Sequence, residues 1–374
     1  MIYFDNAATS FPKPPCVIAD LNRCIRRYCG NPGRSSHALS LRAAEEIYEA
    51  REEIASLLSV NSPESVVFTY NATHALNLAI KTLITKNCHV LISDFEHNSV
   101  IRPLEALHRR LNAEYSIFDT SGNIEESIKA AIREDTRAIV CSVASNVTGD
   151  EIDLEILSKI ARECELILII DASQAIGHKK IDLEKTPCDA LCAPGHKALF
   201  GIQGSGFVYF KDRMRRESFI EGGSGSDSRS REMPLLLPEG YEGGTLATPA
   251  IVSLKSGIGY IKRVGIDAIQ SRISLLTKLA EEGLSDIKGL TVYKSGHAVL
   301  SFNYRDYPSS LIASALDQNG ICTRAGLHCA PSVHERLGTI EQGTIRVSFS
   351  CLNTEKEIEA FLYNIGRVVS ELNL

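Results

Sequence analysis

The clearest structural signal in this chain is residues 166–175, which read Leu-Ile-Leu-Ile-Ile-Asp-Ala-Ser-Gln-Ala. Five aliphatic residues in succession, without polar alternation, predict a strand covered on both faces, as in a mostly parallel sheet. Asp171 follows this strand directly. Further along, the run Cys192-Ala193-Pro194-Gly195-His196-Lys197 places a lysine after the next strand-like segment and before a glycine-rich turn through residues 201–206. Because the carboxyl ends of parallel strands share the ligand-binding edge of such a sheet, we expect Asp171 and Lys197 to lie close together.

Apolar runs alternate with amphipathic stretches from about residue 60 to residue 210. After about residue 250 the pattern of predicted helices and strands is different. The strands predicted in the first part are 65–68, 89–93, 138–141 and 166–170, with helices from 73, over 98–110 and over 154–164. Repeated strand–helix–strand units predict a large α/β domain. The second part predicts helices 249–263 and 266–284, strands 290–292 and 298–302, and a last helix with an apolar stripe from 358 to 372. We therefore predict a large domain at 15–250, and a smaller α+β domain made of 1–14 and 251–374.

Composition narrows the class of protein. The 374 residues are 44% hydrophobic and 23% charged, a mix typical of a soluble globular protein with a large core. The net charge of -6 argues against a nucleic-acid or membrane-surface binder, which needs a basic face. The aliphatic runs are too short to span a bilayer, and the sequence start lacks the features of a secretory signal. A cytoplasmic location is therefore predicted.

The eleven cysteines predict a reducing compartment rather than a disulfide framework. No pair has the Cys-x-x-Cys spacing, and the nearest spacings, Cys24/Cys29 and Cys188/Cys192, lack the partner cluster that a zinc site needs. We predict no metal site. Nearly all of these cysteines are expected to be small buried hydrophobic residues, with Cys329 as the exception.

An aspartate and a lysine at neighbouring strand ends suit pyridoxal 5'-phosphate. The amine of Lys197 can form a Schiff base with the cofactor aldehyde, and the carboxylate of Asp171 favours a protonated pyridine nitrogen. The protonated ring is the electron sink for carbanion chemistry. Taken alone, Asp171 reads as a strand-ending cap and Lys197 as a solvated lysine, so the interpretation depends on the pair.

Seven further sequence segments together resemble the class-V, fold-type I pyridoxal-phosphate enzymes, and more narrowly the cysteine desulfurases and selenocysteine lyases. The resemblance covers nearly the whole chain, and each segment would be weak evidence by itself. The segments are Asp5–Ser10, Gly30–Gly33 with His37, Asn71–His74, Glu96–Asn98, Ser145–Gly149, Asp171–Gln174 and Gly195–Lys197.

The resemblance implies a role for each matched residue. Thr73, at a helix start, is implied to hold the cofactor phosphate, where free N–H groups and the helix dipole favour an anion. His97 is implied to stack on the ring, and Asn146 to contact the ring hydroxyl or the substrate. Without the family context, Thr73 would read as an ordinary N-cap and His97 as a surface or core histidine.

The remaining cofactor residues implied by the resemblance are Gln174, His196, whose ring could donate to the phosphate, and Thr245. Thr245 lies in a Gly-Gly-Thr segment that resembles the one reaching the neighbouring subunit's phosphate, which implies a homodimer with shared sites. Pro194 departs from the family pattern, because it stands where a phosphate-binding hydroxyl is usual and offers no donor. The Gly/Ser-rich segment 222–231 has the composition of a mobile loop, and a lid function is left open.

The reaction is indicated by residues 323–331, Thr-Arg-Ala-Gly-Leu-His-Cys-Ala-Pro, which resemble the sulfur-accepting segment of group II desulfurases. The resemblance implies that Lys197 moves the α-proton of L-cysteine and that the Cys329 thiolate takes its sulfur as a persulfide, releasing alanine. Arg324 or His328 is expected to supply positive charge near the thiol. Arg346 is implied to hold the substrate carboxylate through its two-pronged guanidinium.

The implied partners are L-cysteine or selenocysteine as substrate and a protein that accepts the sulfur. Two alternatives stay open at this stage. One is a selenocysteine lyase or another class-V aminotransferase or lyase, with Cys329 as a bystander. The other is a noncatalytic sulfur carrier on the same fold. The sequence names neither the sulfur acceptor nor the preference among cysteine, selenocysteine and cysteine sulfinate.

Overall fold

A computed structural model describes most of the chain. The described residues are 1–33, 36–212, 220–225, 229–293, 296 and 298–372. The helices are α1 Pro15–Arg27, α2 Ala38–Leu57, α3 Ala72–Leu83, α4 Asn98–Leu111, α5 Ile124–Ala131, α6 Leu154–Glu163, α7 Thr248–Val264, α8 Ile266–Ser285, α9 Ser309–Gln318, α10 Pro331–Leu337 and α11 Glu355–Glu371. The strands are β1 Ile2–Tyr3, β2 Val66–Thr69, β3 His89–Ser93, β4 Glu114–Phe118, β5 Thr136–Ser142, β6 Ile167–Asp171, β7 Ala190–Pro194, β8 Gly206–Phe210, β9 Leu290–Val292, β10 Val299–Tyr304, β11 Ile321–Cys322, β12 Arg324–Gly326 and β13 Thr344–Ser348.

A seven-stranded sheet in the order β2-β8-β7-β6-β5-β3-β4 forms the centre of the molecule. Every neighbouring pair is parallel except the two that involve β8, which runs antiparallel to both β2 and β7. All residues of β3 and β7 are buried, and so are nearly all of β5 and β6, which explains why these strands read as continuous apolar runs. The sheet confirms the predicted mostly parallel α/β architecture.

A second, smaller sheet follows in the C-terminal part, with the antiparallel order β12-β13-β10-β9. Its core includes Phe302, Ile345 and Phe361, and also takes in Phe4 from the start of the chain. The short parallel pair β1-β11 joins that start to the C-terminal part. Helix α7 packs on α1 and α2 beside the large sheet. The division at 15–250 stays a prediction.

The predicted elements match the structure best where the apolar pattern is continuous. Strand β3 has the predicted bounds, and α4, α6, α7, α8 and α11 agree within a few residues. Gly206 was predicted in a turn, and this is wrong, because it begins β8. Among the described residues, no helix combines the length and apolar character needed to cross a bilayer. Part of the predicted 222–231 loop, residues 226–228, lies outside the described residues.

Candidate active site

A cavity opens at the carboxyl ends of the central strands, where the sequence analysis placed the ligand edge. Strand β6 ends at Asp171, which is in register with Ser142 of β5 on one side and Cys192 of β7 on the other. Lys197 follows the end of β7. The cavity brings together nine of the predicted site residues, namely Thr73, His97, Asn146, Asp171, Gln174, His196, Lys197, Arg324 and Arg346.

Lys197 is half-buried and lines this cavity, and its environment shifts the pKa of its amine. Burial lowers the pKa of the Lys197 amine to about 8, against an opposing effect of the Asp171 carboxylate. The neutral amine is the nucleophilic form of lysine, so Lys197 is far more reactive near neutral pH than a solvated lysine. Asp171 is itself fixed by the backbone N–H of Ser173, which donates to its Oδ1 at 2.9 Å.

His97 caps the N-terminus of α4, and this fixes its tautomer. The backbone N–H of Ser99 donates to His97 Nδ1 at 3.0 Å, so the ring carries its proton on Nε2. Burial, with the positive charges of Lys197 and Arg324 adding to it, lowers the pKa of His97 to about 4. The ring is therefore neutral at physiological pH. Ser99 Oγ also lies 2.7 Å from Thr73 Oγ1, which connects this cap to the start of α3.

The backbone of the loop that carries Cys329 is hydrogen-bonded to the segment after β5 and to the start of α4. Asn146 Nδ2 donates to the His328 carbonyl at 2.7 Å, and the Asn98 backbone N–H donates to the Cys329 carbonyl at 2.7 Å. Both His328 and Cys329 adopt left-handed φ values, 51° and 59°, which L-residues other than glycine rarely use. The Cys329 side chain is exposed, whereas His328 is buried and lines the cavity.

One expectation about this loop is wrong. His328 was expected to offer positive charge near the thiol, but burial lowers its pKa well below the usual 6.5. The nearby guanidinium of Arg346 acts in the same direction. The neutral ring places Nε2 3.2 Å from the Thr344 carbonyl. Arg324, which lines the cavity, keeps the expected role of a positive group as a prediction.

Thr245 lies outside this cavity. It lines a separate depression with Arg51 and Gly244, and Asn31 Nδ2 is 3.5 Å from its hydroxyl. The single chain therefore leaves its proposed contact with a second subunit as a prediction. Pro194 lines the main cavity, so the missing hydroxyl at that position does face the ligand space.

The cysteines are all free thiols, but not all of them are buried as expected. The buried ones are Cys24, Cys88, Cys141, Cys188 and Cys192. Cys29 and Cys164 are exposed like Cys329, so exposure alone does not single out the predicted nucleophile. No cluster of three or more His, Cys, Asp or Glu side chains is placed to hold a metal in the part of the chain that the structure describes.

The cavity fits a planar cofactor with a phosphate and an amino-acid substrate. Asn146 Oδ1, His196 Nδ1 and Arg346 Nε are buried there without a hydrogen-bond partner among the described residues. Buried polar atoms normally find partners, so this set indicates a polar ligand. The N-terminus of α3 also borders the cavity and favours an anion. The residues present therefore suit pyridoxal phosphate.

Comparison with known proteins now bears on this arrangement. The sequence model of the aminotransferase class-V family matches residues 2–361. The chain belongs to the class-V aminotransferase family. A probable cysteine desulfurase of Pyrococcus abyssi is 32% identical over 391 residues, which cover 100% of this class-V chain and 95% of that protein. A probable cysteine desulfurase of Methanothermobacter thermautotrophicus is 31% identical, over 99% of this chain and 94% of that protein.

Solved structures agree with the class-V assignment. The apo structure of the cysteine desulfurase from Thermococcus onnurineus NA1 has a TM-score of 0.90 and 29% identity, and the match covers 99% of this chain and 95% of that one. The likeness confirms the predicted fold class and the predicted family. Class-V proteins depend on pyridoxal phosphate, in agreement with the residues that line the cavity.

Several residues of this class-V site escaped the sequence analysis as individual participants. Ser99 joins Thr73 to His97, and its only signal is its position just after the histidine cap. Ser10 Oγ donates to the Lys197 carbonyl at 2.8 Å, and Lys13 Nζ donates to the His196 carbonyl at 2.9 Å. These contacts join distant parts of the chain, so no local pattern predicts them.

The lowered pKa of Lys197 predicts how the apoprotein takes up its cofactor. Only the neutral amine attacks an aldehyde, so we expect the rate constant for loading to rise with pH up to about 8 and then to level off. Stopped-flow absorbance after mixing apoprotein with pyridoxal phosphate measures this rate. A rise that continues past pH 10, as for a solvated lysine, would contradict the buried environment.

A largely buried ion pair between Arg336 and Asp94 joins α10 to the loop before His97. Helix α10 directly follows the Cys329 loop. Arg336 Nη1 donates to Asp94 Oδ2 at 2.9 Å and to Thr120 Oγ1 at 2.7 Å, and the guanidinium lies 5.2 Å from the centre of the Phe95 ring. The Asp94 side chain is only 11% exposed. Removing the arginine therefore leaves a largely buried carboxylate with one donor, Thr120.

We expect Arg336→Gln to lower the free energy of unfolding by about 1–3 kcal/mol, because an unpaired buried charge is costly. Urea unfolding followed by circular dichroism measures the change in midpoint. The matched control is Arg367→Gln, whose pair with Glu371 is exposed on both sides and should contribute less than about 0.5 kcal/mol. If both substitutions lowered the free energy of unfolding equally, the Arg336–Asp94 pair would contribute no more to stability than an exposed pair.

Proposed function

We propose that this protein is a pyridoxal-phosphate-dependent cysteine desulfurase that converts L-cysteine to L-alanine and receives the sulfur on Cys329. The observation that carries the proposal is the attachment of the Cys329 loop to the cavity walls. Asn146 Nδ2 donates to the His328 carbonyl and the Asn98 backbone N–H donates to the Cys329 carbonyl, next to the cavity that contains Lys197. The names of the relatives support the same activity.

Each cavity residue has a task in this reaction. Arg346 binds the substrate carboxylate, using the guanidinium donors that face the cavity. Lys197 Nζ, with its lowered pKa, takes the α-proton and can return it to carbon. The cofactor, when bound, supplies an electron sink for the charge left on the α-carbon. Asp171 favours the protonated form of the ring, and the neutral ring of His97 offers a donor at Nε2.

Sulfur transfer requires a thiolate at Cys329. Its lone pair attacks the substrate sulfur, forming an S–S bond while the substrate Cβ–S bond breaks and its electron pair stays with carbon. Proton delivery to that carbon then yields alanine, and Cys329 carries a persulfide. Because the Cys329 side chain is exposed, the persulfide is open to a thiol of an acceptor protein.

We further propose that the protein works as a homodimer in the cytoplasm. Thr245 supports the dimer, because it lies outside the cavity and matches a segment implied to reach the neighbouring subunit's phosphate. Free thiols at all eleven cysteines suit a reducing compartment. Sedimentation velocity on the purified holoenzyme tests the dimer.

The experiment that tests the function is incubation of the holoenzyme with L-cysteine, followed by quantification of alanine and mass spectrometry of the protein thiols. We expect one alanine for each sulfur transferred, and a gain of one sulfur atom at Cys329. The exposed Cys164 and Cys29 are internal controls and should stay unmodified. Keto-acid formation without alanine would indicate an aminotransferase, and sulfur on the control thiols alone would remove Cys329 from the mechanism.

A further inference from the structure

The side chain of Arg346 is buried and hydrogen-bonded to the protein, although it lines the cavity and is proposed to bind a ligand. It lies on β13 and is 1% exposed. Its Nη2 donates to Asp5 Oδ1 at 2.7 Å, and its Nη1 donates to the Asn146 carbonyl at 3.0 Å. Its Nε–H has no partner among the described residues, although it is buried at the cavity. Nη1 and Nη2 thus each donate one N–H to the protein and keep a second, and Nε–H has no protein partner.

Asp5 is itself positioned from the strand that carries Arg346. Residue 5 forms a parallel bridge with Ser348, two positions after the arginine. The next residues reinforce the link, since Ala7 N–H donates to Ser348 Oγ at 2.8 Å and Asn6 Nδ2 donates to the Ser348 carbonyl at 3.0 Å. The Asp5 carboxylate therefore has a fixed position relative to the guanidinium, and its side chain is 21% exposed.

The charge of Asp5 matters because of the burial of its partner. Burial lowers the pKa of Arg346, and the Asp5 carboxylate opposes that shift. Within the described residues, Asp5 is the one carboxylate that forms an ion pair with Arg346. Without that charge the guanidinium would be a buried cation with only a carbonyl partner, and it would be driven to turn toward other acceptors or water. Its free N–H donors would then lose their orientation toward the cavity.

We propose that Asp5 is a positioning residue that holds Arg346 so that its free guanidinium N–H donors are presented to the α-carboxylate of an amino acid. Asp5 thereby makes the site select α-amino acids over amines that lack the carboxylate. The inference rests on the proposed function for its choice of substrate, but not on the sulfur-transfer step. An amine without a carboxylate enters the same cavity and makes no bond to the free donors of Arg346, so its affinity does not depend on Asp5.

The test compares how two ligands bind to the holoenzyme, read from the change in cofactor absorbance on titration. The ligands are L-alanine and ethylamine, which differ by the carboxylate alone. We expect Asp5→Asn to weaken L-alanine binding by about tenfold, equivalent to about 1.4 kcal/mol, and to change ethylamine binding by less than about twofold. Asp20→Asn, which removes an exposed carboxylate paired with Arg23, is the matched control and should change neither.

Two outcomes would overturn the proposal: unchanged L-alanine affinity, or an equal loss for both ligands, which would indicate a general distortion of the cavity. If Asp5→Asn does not fold, Asp5→Ser serves instead, because a small hydroxyl keeps the backbone bonds of residue 5, and the same selective loss is expected. The titration needs no desulfuration. Failure of the proposed function, seen as no alanine formed from L-cysteine, is therefore distinguishable from failure of the role of Asp5.

Discussion

Replacement of Lys197 by alanine is expected to abolish the covalent link to the cofactor and to reduce alanine formation from L-cysteine by at least about 10³-fold. The lysine supplies both the amine that attaches the cofactor and the base that moves the α-proton, and loss of a general base alone costs about 10²–10⁴-fold. The lowered pKa of Lys197 and its place in the cavity suit both tasks. We expect a visible absorbance band in the wild-type holoenzyme and its absence in the purified variant, as measured by visible spectroscopy.

Two further variants make this result specific. Lys197→Arg keeps a positive charge beside Asp171 but cannot form the link, so it should be as inactive as the alanine variant. Lys185→Ala removes an exposed lysine and should leave both colour and activity unchanged. A Lys197→Ala protein that kept the wild-type colour after dialysis would place the attachment at another lysine.

Cys329→Ser is expected to stop persulfide formation while cofactor binding remains. The hydroxyl is a far weaker nucleophile than a thiolate, so alanine formation from L-cysteine should fall by at least about 10³-fold. The visible spectrum should not change, because the Cys329 side chain is exposed and does not line the cavity that fits the cofactor. Mass spectrometry for protein-bound sulfur and an alanine assay measure the two effects separately.

The matched control for this variant is Cys164→Ser, which removes another exposed thiol. It should retain full activity. L-Selenocysteine gives a second readout, because a C–Se bond breaks more easily than a C–S bond, and we expect a smaller loss with that substrate. If Cys329→Ser formed alanine from L-cysteine at the wild-type rate, Cys329 would be a bystander and another thiol would receive the sulfur.

Much of the fold was predictable because buried parallel strands have an unmistakable composition. Strand β3 and helix α6 lie where the apolar pattern places them. Strand β8 was not predicted, because Gly206 follows a glycine-rich turn and the strand exists through its antiparallel pairing with β2 and β7. The two- and three-residue strands β1, β11 and β12 likewise depend on partners distant in sequence.

The candidate site shows the same division. Asp171, Lys197 and His97 were predictable because each follows a strand that the sequence reveals, and the family motifs added Asn146 and Thr73. The pairing of Asp5 with Arg346 joins residues 341 positions apart and leaves no local pattern. The neutrality of His328 depends on its burial, which only the assembled structure determines.

The left-handed backbone at His328 and Cys329 has a consequence for protein engineering. A cysteine at position 329 carries a conformational penalty that glycine would avoid. Random mutagenesis with selection for thermal stability should therefore favour glycine at this position, and the variant would lose the sulfur-accepting thiol. Thermally stable variants that stay active are better sought by substitutions outside the loop that strengthen its hydrogen bonds with Asn98 and Asn146.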